Sequence, residues 1–200
     1  MKYLWAFALS AMAATAAPVV YNVSVDLSSL PAITNGYLDL QFNGGMAGAP
    51  AGTASVTLFT LNAMTIDEIM AVVTNNVTGN LVPGALNFTN VGTFNSYFVP
   101  ISITGAGAFF SFQVALDGVM LVPPGGNTIG STFSVQLYAA DQMSALLGVD
   151  PVFGTIDIDQ AGAITTAFLS GTTITAVPEP ATLILVGAGL LCLGVVRRRR

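Results

Sequence analysis

The chain has 200 residues, 53% of them hydrophobic, enough for one domain of ordinary size with a real core. Its five basic residues are Lys2 and Arg197 to Arg200, so positions 3 to 196 hold no Lys, Arg or His beside Asp26, Asp39, Asp67, Glu68, Asp117, Asp141, Asp150, Asp157, Asp159 and Glu179. That distribution excludes nucleic-acid binding, which needs cations to displace condensed counterions, and removes the phosphate clamps, Schiff-base lysines and imidazole bases on which most enzyme mechanisms depend.

At the N-terminus Met1-Lys2 supplies a positive charge, Tyr3 to Ala11 an apolar stretch, and Ala14-Thr15-Ala16 a small-x-small pattern before Ala17-Pro18. This predicts a signal helix over residues 1–16, cut by signal peptidase after Ala16, with Ala14 and Ala16 as the cleavage-site residues. The exported domain then runs over 17–176. Its body contains no cysteine, because Cys192 lies in the C-terminal hydrophobic run, so its stability has to come from packing.

From Val19 the chain alternates apolar and polar residues, with Val19, Tyr21, Val23, Val25 and Leu27 on one face. A two-residue period is the mark of a half-buried strand. It returns in Leu38, Leu40 and Phe42, in Phe110, Phe112, Val114 and Leu116, in Phe133, Val135 and Leu137, and in Ile156 and Ile158. Between Leu58 and Phe59 the alternation changes phase, which predicts a bulge or a strand passing from one sheet to another. Thr65-Ile-Asp-Glu68 matches a helix capping box followed by a helical face of Ile66, Ile69, Met70 and Val73, so a short helix competes there with a strand. Asn35-Gly36, Asn43-Gly44-Gly45, Val82-Pro-Gly84 and Pro123-Pro-Gly-Gly-Asn127 read as turns. Many short strands separated by glycine and proline predict a mainly β fold, an antiparallel β-sandwich or jelly-roll-like body.

Two groups of side chains invite chemistry. Asp157 and Asp159 flank Ile158 on a predicted strand, so their carboxylates share a side about 6.6 Å apart. They would supply part of a calcium site, with Asp150, Asn127 or backbone carbonyls completing it, or would form the solvated face of an outer strand. No other cofactor is implied. The same pair, or Asp67 with Asp117, has the residue types of a glycoside hydrolase, but spacing along a strand does not bring two acids together in a cleft. Phe94, Tyr97, Phe98, Phe109, Phe110, Phe112, Phe133 and Tyr138 would line a carbohydrate groove or fill a sandwich core, with Tyr97 and Tyr138 the candidates for exposure.

At the C-terminus Val177-Pro-Glu-Pro180 precedes an uncharged stretch over 181–196, then Arg197, Arg198, Arg199 and Arg200. As a helix the stretch would measure about 24 Å, short for a bilayer core of about 30 Å until the arginine stems extend its reach. It reads as one transmembrane helix with a positive-inside stop, leaving the body outside. Together Pro178, Glu179 and Pro180, the helix and the arginines closely resemble the PEP-CTERM protein-sorting signal of Gram-negative bacteria. The resemblance implies that 177–200 is a sorting tail whose Pro-Glu-Pro motif is recognised by an exosortase. It further implies an exported protein, held transiently or permanently in the membrane on its way to the cell surface or extracellular matrix and associated with exopolysaccharide and biofilm. The body is similar to one group of PEP-CTERM proteins in Tyr37 to Asn43, in Phe94 to Phe98, and in Ser131-Thr-Phe133 through Leu137-Tyr138. That group carries no activity over to this chain. The reading is therefore a non-catalytic exported protein, with a carbohydrate- or calcium-binding matrix module as its alternative.

Overall fold

A computed structural model describes residues 17–30, 34–45, 49–92, 94–121, 130–148, 150–159 and 161–178. The signal helix with Ala14 and Ala16, the turn at 123–127, Glu179, Pro180, the segment 181–196 and Arg197 to Arg200 lie outside the described residues. Within them the chain forms β1 (Val19–Asp26), β2 (Asn35–Gly44), β3 (Gly52–Asn62), β4 (Met64–Ile66), β5 (Val72–Thr74), β6 (Val77–Gly79) and β7 (Leu86–Thr89). It continues through β8 (Ser96–Ile103), β9 (Phe109–Gly118), β10 (Ser131–Ala139), β11 (Val152–Ile158), β12 (Ile164–Phe168) and β13 (Thr172–Val177). Two antiparallel sheets result. One runs β13-β1-β9-β3-β7-β6; the other runs β12-β11-β10-β2-β8-β4, with β5 also paired to β8.

The strand parity expected from the sequence places the core. Val23, Val25, Phe88, Phe110, Phe112 and Val114 from the first sheet are buried against Leu38, Leu40, Phe42, Val99, Phe133 and Val135 from the second. Phe133 joins the layers: its ring meets Phe88 at 6.1 Å and 87°, and Phe112 at 6.2 Å and 64°. Such edge-on pairs add about 0.5–1.5 kcal/mol to what area burial supplies.

The phase change in β3 is a bulge. Its register with β9 shifts between Thr57 and Thr60, Leu58 takes a φ of 54° and points outward, and Phe59 stacks on Phe110 at 5.8 Å. The extra residue returns Leu61 to the side of Phe110, so one strand keeps its apolar residues inward on both sides of the shift.

Two expectations are corrected. Asn35-Gly36 and Asn43-Gly44 lie inside β2 rather than in turns, because β2 is a central strand paired on both edges from Asn35↔Ser102 and Gly36↔Ala139 to Ser131↔Gly44. Ladder hydrogen bonds outweigh local turn preference there. Gly36 serves close approach, since a Cβ at this position would sit 2.5 Å from the Tyr138 carbonyl oxygen. The stretch after Thr65 is neither one helix nor one strand. β4 and β5 both pair with β8, leaving a single 3₁₀ turn, Glu68–Met70, whose Ile69 amide is capped by Asp67 rather than Thr65. The expected apolar helical face does not form, and Ile69 is 94% exposed.

Phe133→Ala is expected to destabilise the fold by about 3–5 kcal/mol, and Gly36→Ala by about 1–3 kcal/mol through overpacking against backbone. Urea denaturation of the exported form measures both.

Candidate functional site: the sorting junction and the polar outer face

The last strand leads directly into the predicted sorting tail. β13 pairs with β1 from Val25↔Thr172 to Val20↔Val177, and Pro178, exposed, is the next residue. The strand thus includes Val177, which sequence reasoning places in the tail. β13 has one open edge, and its inward residues are few. Thr172 and Ile174 are buried, whereas Thr173, Thr175 and Ala176 are exposed. Ile174 crosses to the other sheet at Gly154, where an added Cβ would come within 2.9 Å of its Cδ1. The hydroxyl of Thr172 is buried without a hydrogen-bond partner among the described residues.

Because β1 begins at Val19 and lies beside β13, the chain enters and leaves the body at neighbouring positions on one sheet. Residues 17 and 178 are both at this end. Among the described residues no helix is long and apolar enough to cross a membrane.

The acids singled out in sequence do separate things. Asp157, on β11, accepts from Thr132 Oγ1 at 2.7 Å and from Thr155 Oγ1 at 2.8 Å. Asp159 lies just beyond the strand and accepts from the Ala161 and Ala163 amides at 2.7 and 2.9 Å, closing the turn into β12. Asp150 accepts from the Val152 amide. Asp67 and Asp117 belong to different sheets: Asp67 follows β4, and Asp117 lies in β9 opposite Thr53. No group of three or more His, Cys, Asp or Glu poised for a metal occurs among the described residues.

The carboxylate that sequence reasoning passed over is Asp39. It occupies the outward parity of β2, yet is only 4% exposed, accepting from Ser96 Oγ and from Gln41 Nε2, each at 2.6 Å. Burial pushes its pKa upward, and the two donors hold it partly back. From it a polar chain continues through Gln41, Asn43 and Asn95 to Asn76. Along the same face Phe98 stacks on Tyr37 at 4.7 Å and lies 5.9 Å from Tyr138, whose hydroxyl donates to Gln136. The signal was the alternation Tyr37-x-Asp39-x-Gln41-x-Asn43, which puts four polar-tipped residues on one side of a central strand.

The two tyrosines expected at the surface differ. Tyr138 is half-buried, but Tyr97 is 1% exposed because it shares the inward parity of Val99 and Ile101. Its hydroxyl donates to Glu68, and burial followed by that carboxylate raises its pKa. Phe110, Phe112 and Phe133 are core, while Phe94 and Phe109 remain partly exposed.

Comparison with known proteins gives a match at the C-terminus. Residues 176–200 match the family of the PEP-CTERM protein-sorting motif. No curated protein and no solved structure matches the chain.

Asp141 gives a pH test. The Ser144 hydroxyl, with the Met143 and Ser144 amides, holds its pKa down at about 2. Its contribution to stability is present above its unfolded value of about 3.9 and is lost as pH falls toward 2. Asp39, shifted the other way, contributes most below that unfolded value and loses its contribution as pH rises through its folded pKa. Carboxyl-carbon NMR titration is expected to order Asp141 below Asp39, and Asp141→Ala to flatten the acid limb of a stability curve between about pH 4 and pH 2.

The match begins at Ala176, within the last two residues of β13: the chain carries a PEP-CTERM motif, which implies export and processing by exosortase.

Proposed function

We propose that this protein is a non-catalytic β-sandwich delivered to the cell surface or extracellular matrix by successive action of signal peptidase after Ala16 and exosortase at Pro178, Glu179 and Pro180. Before the second step the helix 181–196 and Arg197 to Arg200 hold it in the membrane with the body outside. The observation that carries this reading is the sorting motif attached without a spacer to a folded two-sheet body. The cation-free composition of that body supports a role as cargo rather than catalyst. Intact-mass measurement of envelope and secreted fractions is expected to show loss of the tail only in cells with exosortase. The same full-length protein in cells with and without exosortase would remove the sorting reading.

A second reading, a ligand-binding module of the exopolysaccharide matrix, is favoured by the Tyr37, Phe98 and Tyr138 rings lying beside Gln136 on one outer face. Calcium at Asp157 and Asp159 belongs to this reading. Asp157 is half-buried between two threonine hydroxyls, and further ligands would have to come from outside the pair. Calorimetry with calcium and with isolated matrix polysaccharide tests it: binding heat that disappears in Asp157→Asn supports the ion, and heat lost in Tyr138→Ala supports the polymer. Absence of heat and of any shift in melting temperature with both ligands rejects the reading.

A further inference from the structure

We infer that β13 is a release strand: folding of the body and processing of the tail compete for the same residues, so exosortase gains its substrate only when β13 leaves β1. The inference rests on the sorting reading and concerns its regulation. Its basis is an overlap. The match to the sorting motif begins at Ala176, while β13 extends through Val177, so two residues belong to both the sheet and the signal. In the folded body they face Tyr21 and Val20 across the ladder.

An enzyme that cleaves a peptide takes its substrate as an extended segment and hydrogen-bonds to its backbone from within a cleft. The residues preceding Pro178 already have one edge committed to β1, with the bulk of the sandwich behind it. Pro178 itself is exposed but follows the ladder immediately. Folded body and enclosed enzyme therefore exclude one another at this junction.

The strand is built to come away. β13 is an edge strand of six residues whose one buried apolar side chain is Ile174. Thr172 brings a buried hydroxyl with no partner among the described residues, which weakens the inner end. Segments with few apolar anchors and an open edge open locally at far lower free energy than the global fold. β1, by contrast, keeps its full pairing with β9 from Val19 to Asp26 when β13 departs. Release therefore leaves the rest of the sandwich standing.

The test is a reversible staple in the full-length chain in cells with exosortase. Asn22 and Thr175 are partners in the ladder and both are exposed. Asn22→Cys with Thr175→Cys places two thiols at the separation a disulfide spans, and peptide mass confirms the bond. Pulse-chase is expected to show tail removal at least tenfold slower in the oxidised chain than in the parent, with recovery on reduction. A second chain carries the same staple with Gly-Ser-Gly-Ser-Ala-Val inserted between Val177 and Pro178. It keeps an Ala-Val before the proline but separates signal from sheet, and is expected to be processed at the parent rate. Equal rates for stapled and parent chains overturn the inference, as does a stapled chain that stays slow with the insertion. A parent chain that keeps its tail despite active exosortase rejects the sorting reading itself, which is a different outcome.

Discussion

Every carboxylate in this body has to be satisfied without a counter-ion. With no Lys, Arg or His between positions 3 and 196, each is met by neutral donors or by water. The fold answers in two ways. Most acids stand at strand ends and turns, where they collect backbone amides, as Asp26, Asp141, Asp150 and Asp159 do. Asp157 and Asp39 are the exceptions: Asp157 on β11 takes two threonine hydroxyls, and on the central strand β2 Asp39 takes a serine hydroxyl and a glutamine amide. The cost of burying a charge without a counter-charge is reflected in the raised pKa of Asp39.

The same constraint shapes the polar surfaces between strands. Where other sandwiches place ion pairs, this one places hydroxyls and amides across the ladders: Thr60 with Ser111, Ser55 with Asn87, and Gln113 with Asn22. Cross-strand pairs of this kind are worth a few tenths of a kcal/mol to about 1 kcal/mol each. At one end Asn90 spans the sheets, accepting from the Gly52 amide and donating to Pro50 and Ser131. Cohesion rests mainly on the apolar interior, and the polar residues fix how its two halves lie together.

Much of this was legible in the order of residues. Period-two alternation located β1, β2, β9, β10 and β11, and a single break in phase located the bulge in β3, because inward and outward positions are a direct record of burial. The errors share one cause, since they occur where a long-range partner decides. Asn35-Gly36 carries a turn signal, but β8 and β10 draw it into a sheet. Thr65 to Val73 carries a helix signal, but β8 takes both of its flanks. Tyr97 was expected outside for its hydroxyl, yet parity places its ring inward and Glu68 supplies the partner at the edge. The sorting tail was readable because its parts are contiguous in the chain. The importance of Asp39 was not, because its burial depends on neighbours from β8 and β10 that are remote in sequence.

The placement of β1 has a consequence for how the protein is made. Its partners are β9, first met at Phe109, and β13, first met at Thr172, so the first described strand of the chain is completed by the last. Contacts of such long sequence separation are slow to form, because the chain between must be closed into a loop before they repay the cost. β1 therefore stays an open, apolar template until β9 is available, and keeps one unpaired edge until β13 is. An unpaired edge of this kind invites pairing with other chains until the end of the chain is made.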